Sequence, residues 1–567
     1  MRLKNKSNIS FFALIIIAFA SFLRLFQLGQ IPSSLYIDEV AMLADVKSVL
    51  ATGSDIHGNA WYQLIYPSYG DYKLPVYIWL ATASSFIFGA SAFSLRLVSA
   101  IVGIGTVIIA GLIAREIAIS FAQKRSTRLS KVFPLCTMFV VAVSPWSVLF
   151  SRTGFEGHVA QFFFWVSIYF LLLARKKWWL IFISAFFGVF SIYTYYSVRF
   201  VWPPVFLSFL VFQLLSLQER GGWLKVSTRT VLKSISALSL VFLCLLPLKN
   251  SPYFVASEQF RLSTSSLLDF ETYNQVVMSS NTLINQAGST IVSKLVFHRH
   301  IIWLRELALQ YARNLSPNFL FFSGDNNLRH GTGEHGLFLL PFAPFFLLGL
   351  ICLSKNYPKL AICLTSAIIF SLLPASIPAS TPHALRSLNA LVPFSLVIGF
   401  GIAVFAEHLE KQYNRDTLLA TSIATTISVI VIVSVVGFLQ YYFVLYPDKS
   451  KNAWFDCEHS LIQELSLNSR DLPILFISQP ERLSLWILAF DEAASGTIYF
   501  ESNNPFEIKK IGTKIFDASI SDFQTGTDQI VVAHASYAKA LTNLSTLEIK
   551  KIKGFNEHCQ YLIARSR

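Results

Sequence analysis

Ile31-Pro32-Ser33-Ser34-Leu35-Tyr36-Ile37-Asp38-Glu39-Val40 follows directly on an apolar run over residues 10–28, and this junction decides how the chain is read. A run of about 20 apolar residues is enough to cross a bilayer, so Asp38 and Glu39 stand at a membrane surface. Adjacent acids in that position call for a chemical explanation. The basic start Met1-Arg2-Leu3-Lys4-Asn5-Lys6 places the N-terminus in the cytoplasm, with the first helix crossing outward. No small-residue cleavage site closes the run, so it reads as an uncleaved anchor that leaves Gly29 to Lys73 outside.

The remainder of the 567-residue chain has the same character. Hydrophobic residues make up 54% and charged residues 14%, with a mean hydropathy of +0.53, whereas soluble domains carry about 25% charged residues. This composition excludes a soluble globular enzyme and gives an all-α polytopic membrane protein. The net charge of +14 would suit nucleic acid, but the basic residues gather in short loops on one side, which membrane insertion explains.

Those loops also settle the parity of the spans. Leu74 to Phe88 is marginal as a membrane span; read as a juxtamembrane or re-entrant helix, it makes every basic loop cytoplasmic. These loops are Arg115 with Lys124, Arg125, Arg128 and Lys131; Arg175-Lys176-Lys177; Arg220 with Lys225 and Arg229; and Lys355 with Lys359. The expected spans are 10–28, 93–114, 132–150, 158–174, 178–192, 200–217, 231–249, 336–353, 360–377, 387–406 and 417–440, about eleven helices. The N-terminus is then inside and the C-terminus outside.

Two domains follow: a membrane domain over 1–446, with outer loops 29–92 and 250–335, and an extracytoplasmic α/β domain over 447–567. Within the second outer loop, Ile291 to Tyr311 mixes His298, Arg299, His300 and Arg305 with Val, Leu, Ile and Trp, as in a helix lying on a membrane surface. The C-terminal region alternates short apolar runs, 473–477, 496–500 and 529–533, with helix-like segments at 482–490 and 537–544. It contains no phosphate-binding glycine loop and no nucleophile elbow, so it reads as a structural or acceptor-docking module. Cys136, Cys244, Cys352 and Cys363 fall in apolar runs and read as small buried hydrophobes. Cys457 and Cys559 bracket the polar region, where an oxidising compartment would let them pair.

On this topology, polar residues from distant segments fall at the outer ends of helices. They are Asp38-Glu39, Asp71 and Lys73, Arg152 with Glu156 and His158, Tyr195 to Arg199, Arg329-His330, His335, and His383 with Arg386. Acids and bases on one face imply a cavity at the outer leaflet. Such a cavity suits transfer from a polyprenyl-phosphate sugar: cations hold the phosphate oxygens and stabilise the leaving group, while a carboxylate deprotonates an acceptor hydroxyl. Direct displacement inverts the sugar.

The Asp-Glu pair after the first helix, Tyr72-Lys73-Leu74-Pro75-Val76-Tyr77, Leu95-Arg96-Leu97-Val98-Ser99-Ala100, and the loop from Ser151-Arg152 to Glu156 resemble the GT-C membrane glycosyltransferases. The likeness is greatest to the bacterial dolichyl-phosphate-mannose protein mannosyltransferase-like group of family 39, related to the lipid A aminoarabinose transferases, and covers the first 200 residues best. It implies an active site outside the membrane with Asp38 as base, Lys73 close to it, and Glu156 where relatives often carry Asp. Glu39 is then a second catalytic candidate, and Arg96, Arg152, Tyr195, Arg199, His383 and Arg386 are candidate substrate contacts. Some GT-C enzymes bind a divalent metal through these loops. With no D-x-D in either loop the reading is no metal and no other cofactor, and the histidines at 298–335 are too scattered for a zinc site.

The expected partners are a polyprenyl-phosphate sugar donor, membrane lipids, and an acceptor protein, lipid or glycan, at the plasma membrane. A lipid flippase or transporter is the rival reading. It is disfavoured because charges avoid the helix centres and no inverted repeat is visible. An oligosaccharyl transferase or ligase is the rival within the superfamily.

Overall fold

The structure, a computed structural model, describes residues 6–566 except 122–128, 219–227, 264–269, 378–380, 469–471, 478–481, 492–497, 502–503, 520–521, 523–527, 538–540, 542–546, 552–558 and 560. Its first helices are α1 (Lys6–Leu25), α2 (Ile37–Thr52), α3 (Pro75–Phe88), α4 (Ala92–Phe121), α5 (Leu129–Val143), α6 (Pro145–Phe150), α7 (Glu156–Leu173), α8 (Leu180–Ile192), α9 (Val198–Gln218) and α10 (Thr228–Leu245). Next come α11 (Phe254–Ser263), α12 (Phe270–Gln286), α13 (Ile291–Val296) and α14 (Arg299–Asn314). The last membrane-type helices are α15 (Ala343–Asn356), α16 (Pro358–Ser376), α17 (Leu391–Tyr413) and α18 (Thr417–Gln440).

Each expected span coincides with a helix. Among the described residues, seven helices are long and apolar enough to cross a membrane, and five shorter apolar helices accompany them. The helix α3 is one of the short ones: at 14 residues it reaches about 21 Å, less than the roughly 30 Å hydrocarbon core. Two boundaries differ from the hydropathy reading. The span expected over 132–150 is broken between α5 and α6, where Pro145 cannot donate a helix hydrogen bond. The span expected from 336 becomes α-helical only at Ala343, after a 3₁₀ turn over Leu340–Phe342 that contains Pro341. The amphipathic stretch from Ile291 is likewise two helices, α13 and α14, parted at Phe297-His298. Lys124, Arg125, Arg128, Arg220 and Lys225 lie outside the described residues, as does most of the helix expected over 537–544.

The chain forms two compact units. The first comprises Met1–Phe26 and Ser99–Tyr442 and is helical. With no water inside a bilayer to reward burial of apolar surface, close backbone approach and polar contacts hold such helices together. Gly349 in α15 and Gly401 in α17 allow that approach, since a Cβ at either would collide with a backbone carbonyl, of Val397 and Phe345 respectively. Between α7 and α8, the Ser167 and Ser184 hydroxyls each donate to the other's carbonyl at 2.7 Å, and the Trp202 indole of α9 donates to Ser167 Oγ at 3.0 Å. At the far end of α4, buried Glu116 accepts from Arg175 and Lys176, both at 2.8 Å.

The second unit comprises Gln27–Val98 and Phe443–Arg567. It contains α2, α3, the two-stranded ribbon β1 (Tyr66–Pro67) and β2 (Tyr72–Lys73), and the C-terminal α/β domain. That domain starts with α19 (Tyr446–Lys449), α20 (Asp456–Asn468) and α21 (Leu483–Phe490). Its sheet has β3 (Ile474–Phe476), β4 (Ile498–Glu501), β5 (Asn504–Ile511), β6 (Lys514–Phe516), β7 (Ile530–His534), β8 (Leu547–Lys551) and β9 (Tyr561–Ser566), in the order β4-β5-β6-β3-β7-β9-β8. Central β3 runs parallel to β6 and β7, and the other pairs are antiparallel. Cys457 at the start of α20 is disulfide-bonded to Cys559. Aromatic contacts join the first loop to this domain: Tyr36 with Trp454, His57 with Phe500, and Tyr72 with Phe506.

Candidate functional site

In the second unit, the adjacent acids at the start of α2 have opposite surroundings. Tyr36 is the N-cap residue, and Glu39 Oε2 reaches back to its backbone N–H at 3.3 Å, as the third residue of a capping box does. The same carboxylate takes both Nε and Nη2 of Arg96 at 2.9 Å, in the bidentate geometry that guanidinium and carboxylate favour. Arg96 Nη1 donates to the Pro32 carbonyl at 3.0 Å, Nη2 donates to that of Ser34, and the guanidinium lies 5.6 Å from the Trp454 ring centre. Neither side chain has any exposed surface. Glu39, expected as a second catalytic candidate, and Arg96, expected as a substrate contact, pair with each other and hold the 32–39 turn.

Asp38 points elsewhere. Its Oδ1 accepts from the Tyr69 hydroxyl at 2.8 Å and from the Lys73 ammonium, and Lys73 also donates to Asp71 Oδ2 at 2.9 Å. The β1-β2 ribbon therefore delivers two donors to one oxygen. The Asp38 side chain is 22% exposed, and none of its described hydrogen bonds uses Oδ2. Tyr69 is itself covered by the Arg482 guanidinium, 4.5 Å from its ring centre. Burial, and then the Asp38 charge, hold the Tyr69 phenol well above its ordinary pKa, so it remains a donor. The result is a carboxylate anchored through one oxygen and open at the other.

The same loop also holds Asp45 and Asp55, both buried. Asp55 Oδ1 accepts from the backbone N–H groups of His57 and Asn59, and Oδ2 from the Asn59 and Gln63 amides. Asp45 receives only the Ile56 N–H, at 3.3 Å. Burial, followed by the Asp55 charge, raises its carboxyl well above the usual range.

In the first unit, the break between α5 and α6 positions the loop that carries Arg152 and Glu156. Pro145 cannot donate to the Val141 carbonyl, and Trp146 N–H is turned to Leu337 O at 3.2 Å, so Val141 and Ala142 lose their helix donors. Arg24, near the end of α1, replaces them: Nη2 donates to Val141 O and Nη1 to Ala142 O, both at 3.3 Å, with Nη2 also reaching Ser147 Oγ at 2.8 Å. Arg152 returns the contact, donating from Nη1 to Leu23 O at 2.9 Å. Gly103 makes room, since a Cβ there would strike Ser151 and crowd Arg24. Glu156 is the first residue of α7, where the helix dipole favours a negative charge, and it is buried.

The remaining expected contacts occupy this unit too. Tyr195 packs beside Gly157 at the start of α7. Arg199 pairs with Glu258 through Nη1 and lies over the Tyr196 ring, while among the described residues its buried Nε and Nη2 have no hydrogen-bond partner. Nor, among the described residues, has the buried Nη1 of Arg386. His383 stacks on His330 with ring centres 4.5 Å apart, and His330 Nδ1 is 3.7 Å from Asp325 Oδ2. Burial, then the charges of Arg329 and Arg386, depress the His330 pKa to about 3; burial, His330 and Arg386 depress that of His383 as well.

The structure therefore brings together Asp38, Lys73 and Asp71 in one unit and Asp325, His330 and His383 in the other. Sequence reasoning missed Tyr69, Arg24 and Arg482. Tyr69 lies in a polar stretch with many candidate donors. A charged residue inside an apolar run was the available signal for Arg24.

The fold is shared with ArnT from Cupriavidus metallidurans. The apo structure of ArnT superposes with a TM-score of 0.52 at 11% identity over 98% of each chain. Its structure bound to undecaprenyl phosphate gives 0.53 at 12% identity over 97% of each. The archaeal oligosaccharyltransferase AglB from Archaeoglobus fulgidus, in complex with an inhibitory peptide and a dolichol-phosphate, aligns at 14% identity over 93% of this chain and 70% of its own, with a TM-score of 0.49. No family model and no curated protein matches the chain. The chain thus shares the fold of ArnT and is a polytopic helical protein with a small C-terminal α/β domain.

Proposed function

We propose that this chain is an integral-membrane glycosyltransferase that moves a sugar from a polyprenyl-phosphate donor to an acceptor hydroxyl on the extracytoplasmic face, with inversion. The observation that carries the proposal is the Asp38 carboxylate, anchored by Lys73 and Tyr69 at Oδ1 and open at Oδ2. A general base needs a fixed carboxylate with a reachable lone pair. Oδ2 takes the acceptor proton while the acceptor oxygen attacks the anomeric carbon, and the bond from that carbon to the phosphate oxygen breaks. The electron pair leaves with polyprenyl phosphate. Guanidinium groups whose N–H donors are unused among the described residues, Arg199 and Arg386, suit the phosphate. Arg152, Tyr195 and Glu156 are further candidate contacts. Glu39 and Arg96 position the base, and the transfer chemistry uses no metal. That a protein of this fold binds undecaprenyl phosphate supports the choice of donor class.

The test is transfer from labelled polyprenyl-phosphate monosaccharides by purified protein, wild type against Asp38→Asn. The variant keeps the Oδ1 acceptor but loses the base, so turnover falls by about 10²–10⁴-fold with the thermal melt unchanged. Retained turnover removes Asp38 from the base role, and transport without transfer removes the enzyme.

A further inference from the structure

We propose that Asp325, His330 and His383 bind a divalent ion of the zinc class, which clamps the 324–335 loop to the 381–387 loop. One donor atom from each side chain lies within 4.8 Å of the other two. The 3.7 Å between His330 Nδ1 and Asp325 Oδ2 is too long for a hydrogen bond. Donors held about 2.1 Å from a tetrahedral zinc ion stand roughly 3.4 Å apart. The spacing therefore fits groups bridged by an ion better than groups bonded to each other.

The side chains have capacity to spare. Among the described contacts the His330 ring makes no hydrogen bond, and that of His383 receives only a long 3.4 Å approach from the Arg386 backbone N–H. Asp325 Oδ1 accepts from Asn327 N–H at 2.9 Å and Oδ2 from Ala384 N–H at 2.8 Å. These bonds fix the carboxylate across both loops and leave each oxygen a lone pair. Two imidazoles and one carboxylate form a donor set for zinc-class ions. Arg329 and Arg386 stand close enough to act on both rings, which opposes any cation held by charge alone. Calcium and magnesium, bound by oxygen and charge, are thereby disfavoured against an ion that bonds nitrogen.

The clamp has a structural consequence. The Ala384 carbonyl accepts the Trp146 indole N–H at 3.0 Å, and Trp146 belongs to α6, which leads into the loop of Arg152 and Glu156. Fixing the 381–387 loop therefore steadies the entry to that loop. The site was illegible in sequence because its ligands come from two distant loops with no fixed spacing.

The test uses the full-length protein in detergent, stripped with a chelator and titrated with zinc alone. One equivalent per chain is expected, together with a higher Tm. His330→Ala and Asp325→Asn each weaken binding by more than about tenfold, whereas the double variant His298→Ala, His300→Ala binds as wild type does. Should the loop variants fail to fold, cobalt loading of the wild type decides instead: a visible band of a four- or five-coordinate nitrogen and oxygen site supports the clamp. The spectrum of hydrated cobalt, no stoichiometric zinc, or zinc retained in a folded His330→Ala variant overturns it. None of these readouts depends on glycosyl transfer.

Discussion

At the first loop Lys73 and Arg96 end on carboxylates; at the α5–α6 break of the helical unit Arg24 ends on backbone carbonyls and a hydroxyl. Lys73 sits between Asp38 and Asp71, and Arg96 is clasped by Glu39. Arg24 donates to backbone carbonyls and a serine hydroxyl, Arg152 has the Leu23 carbonyl among its contacts, and among the described residues the buried Arg386 Nη1 has no acceptor. Neutral pairs fix a carboxylate in place without leaving much positive charge. Arg24 is bonded instead to neutral groups, supplying the donors that the Val141 and Ala142 carbonyls lack. The contrast teaches two uses of a buried cation: pairing that fixes a carboxylate, and donation that replaces missing helix hydrogen bonds.

Arg96→Ala breaks the first half of that contrast most severely. Removing one partner of a buried ion pair leaves the other charge uncompensated and costs about 3–5 kcal/mol, here at Glu39, whose side chain has no exposed surface. A large drop in Tm is expected, with Glu39→Gln costing less because an amide still accepts from the guanidinium. A wild-type melt for Arg96→Ala would mean that the pair does not hold the 32–39 turn.

The next effect belongs to the helical unit. Arg199 gives one N–H to Glu258 and, among the described residues, keeps two unpaired nitrogens. If those meet phosphate, Arg199→Ala loses charge-assisted bonds of about 1.5–3 kcal/mol and raises the donor KM roughly tenfold or more. Glu258→Gln should leave KM within a few-fold. Equal effects of the two substitutions would make the ion pair, rather than phosphate binding, the role of Arg199.

How much of this was legible follows from where each signal lies. Asp38 could be singled out because its position is local, an acid just past a membrane span. The pairing of Glu39 could not be read the same way, since its partner Arg96 sits on another helix and looks in sequence like an interfacial anchor. The spans were legible because hydropathy is additive along a helix. The α5/α6 break was not, because a window average passes over Ser144-Pro145 although proline withdraws a donor there. Arg24 was hidden for the same reason: its role depends on carbonyls freed more than a hundred positions away. The Cys457–Cys559 pairing needed only the bracketing positions and an oxidising compartment.

A smaller effect sharpens the half that fixes a carboxylate. Tyr69 donates to Asp38 Oδ1 beneath Arg482, so Tyr69→Phe removes one neutral hydrogen bond of about 0.5–1.5 kcal/mol. Turnover should fall about three- to tenfold with the donor KM unchanged. Arg482→Ala, acting through Tyr69, should move kcat in the same direction by less. A change in KM alone would place Tyr69 against substrate instead of behind the base.

Asp45 differs from Asp38 and Glu39, which meet cations, and it supplies the subtlest test. It is buried, faces Asp55, and receives a single N–H, so burial and then the Asp55 charge raise its carboxyl well above the usual range. A raised folded-state pKa means that the folded chain holds the proton more tightly than the unfolded one. Asp45 therefore contributes stability that is fully present below about pH 4, the ordinary carboxyl value, and is lost as pH rises toward the raised folded value. Asp45→Asn keeps the acceptor for Ile56 and removes the titration. Its Tm should equal or exceed wild type at neutral pH, with the difference closing as pH falls toward 4. A variant less stable than wild type at neutral pH would mean that the Asp45 carboxylate is balanced by a cation after all.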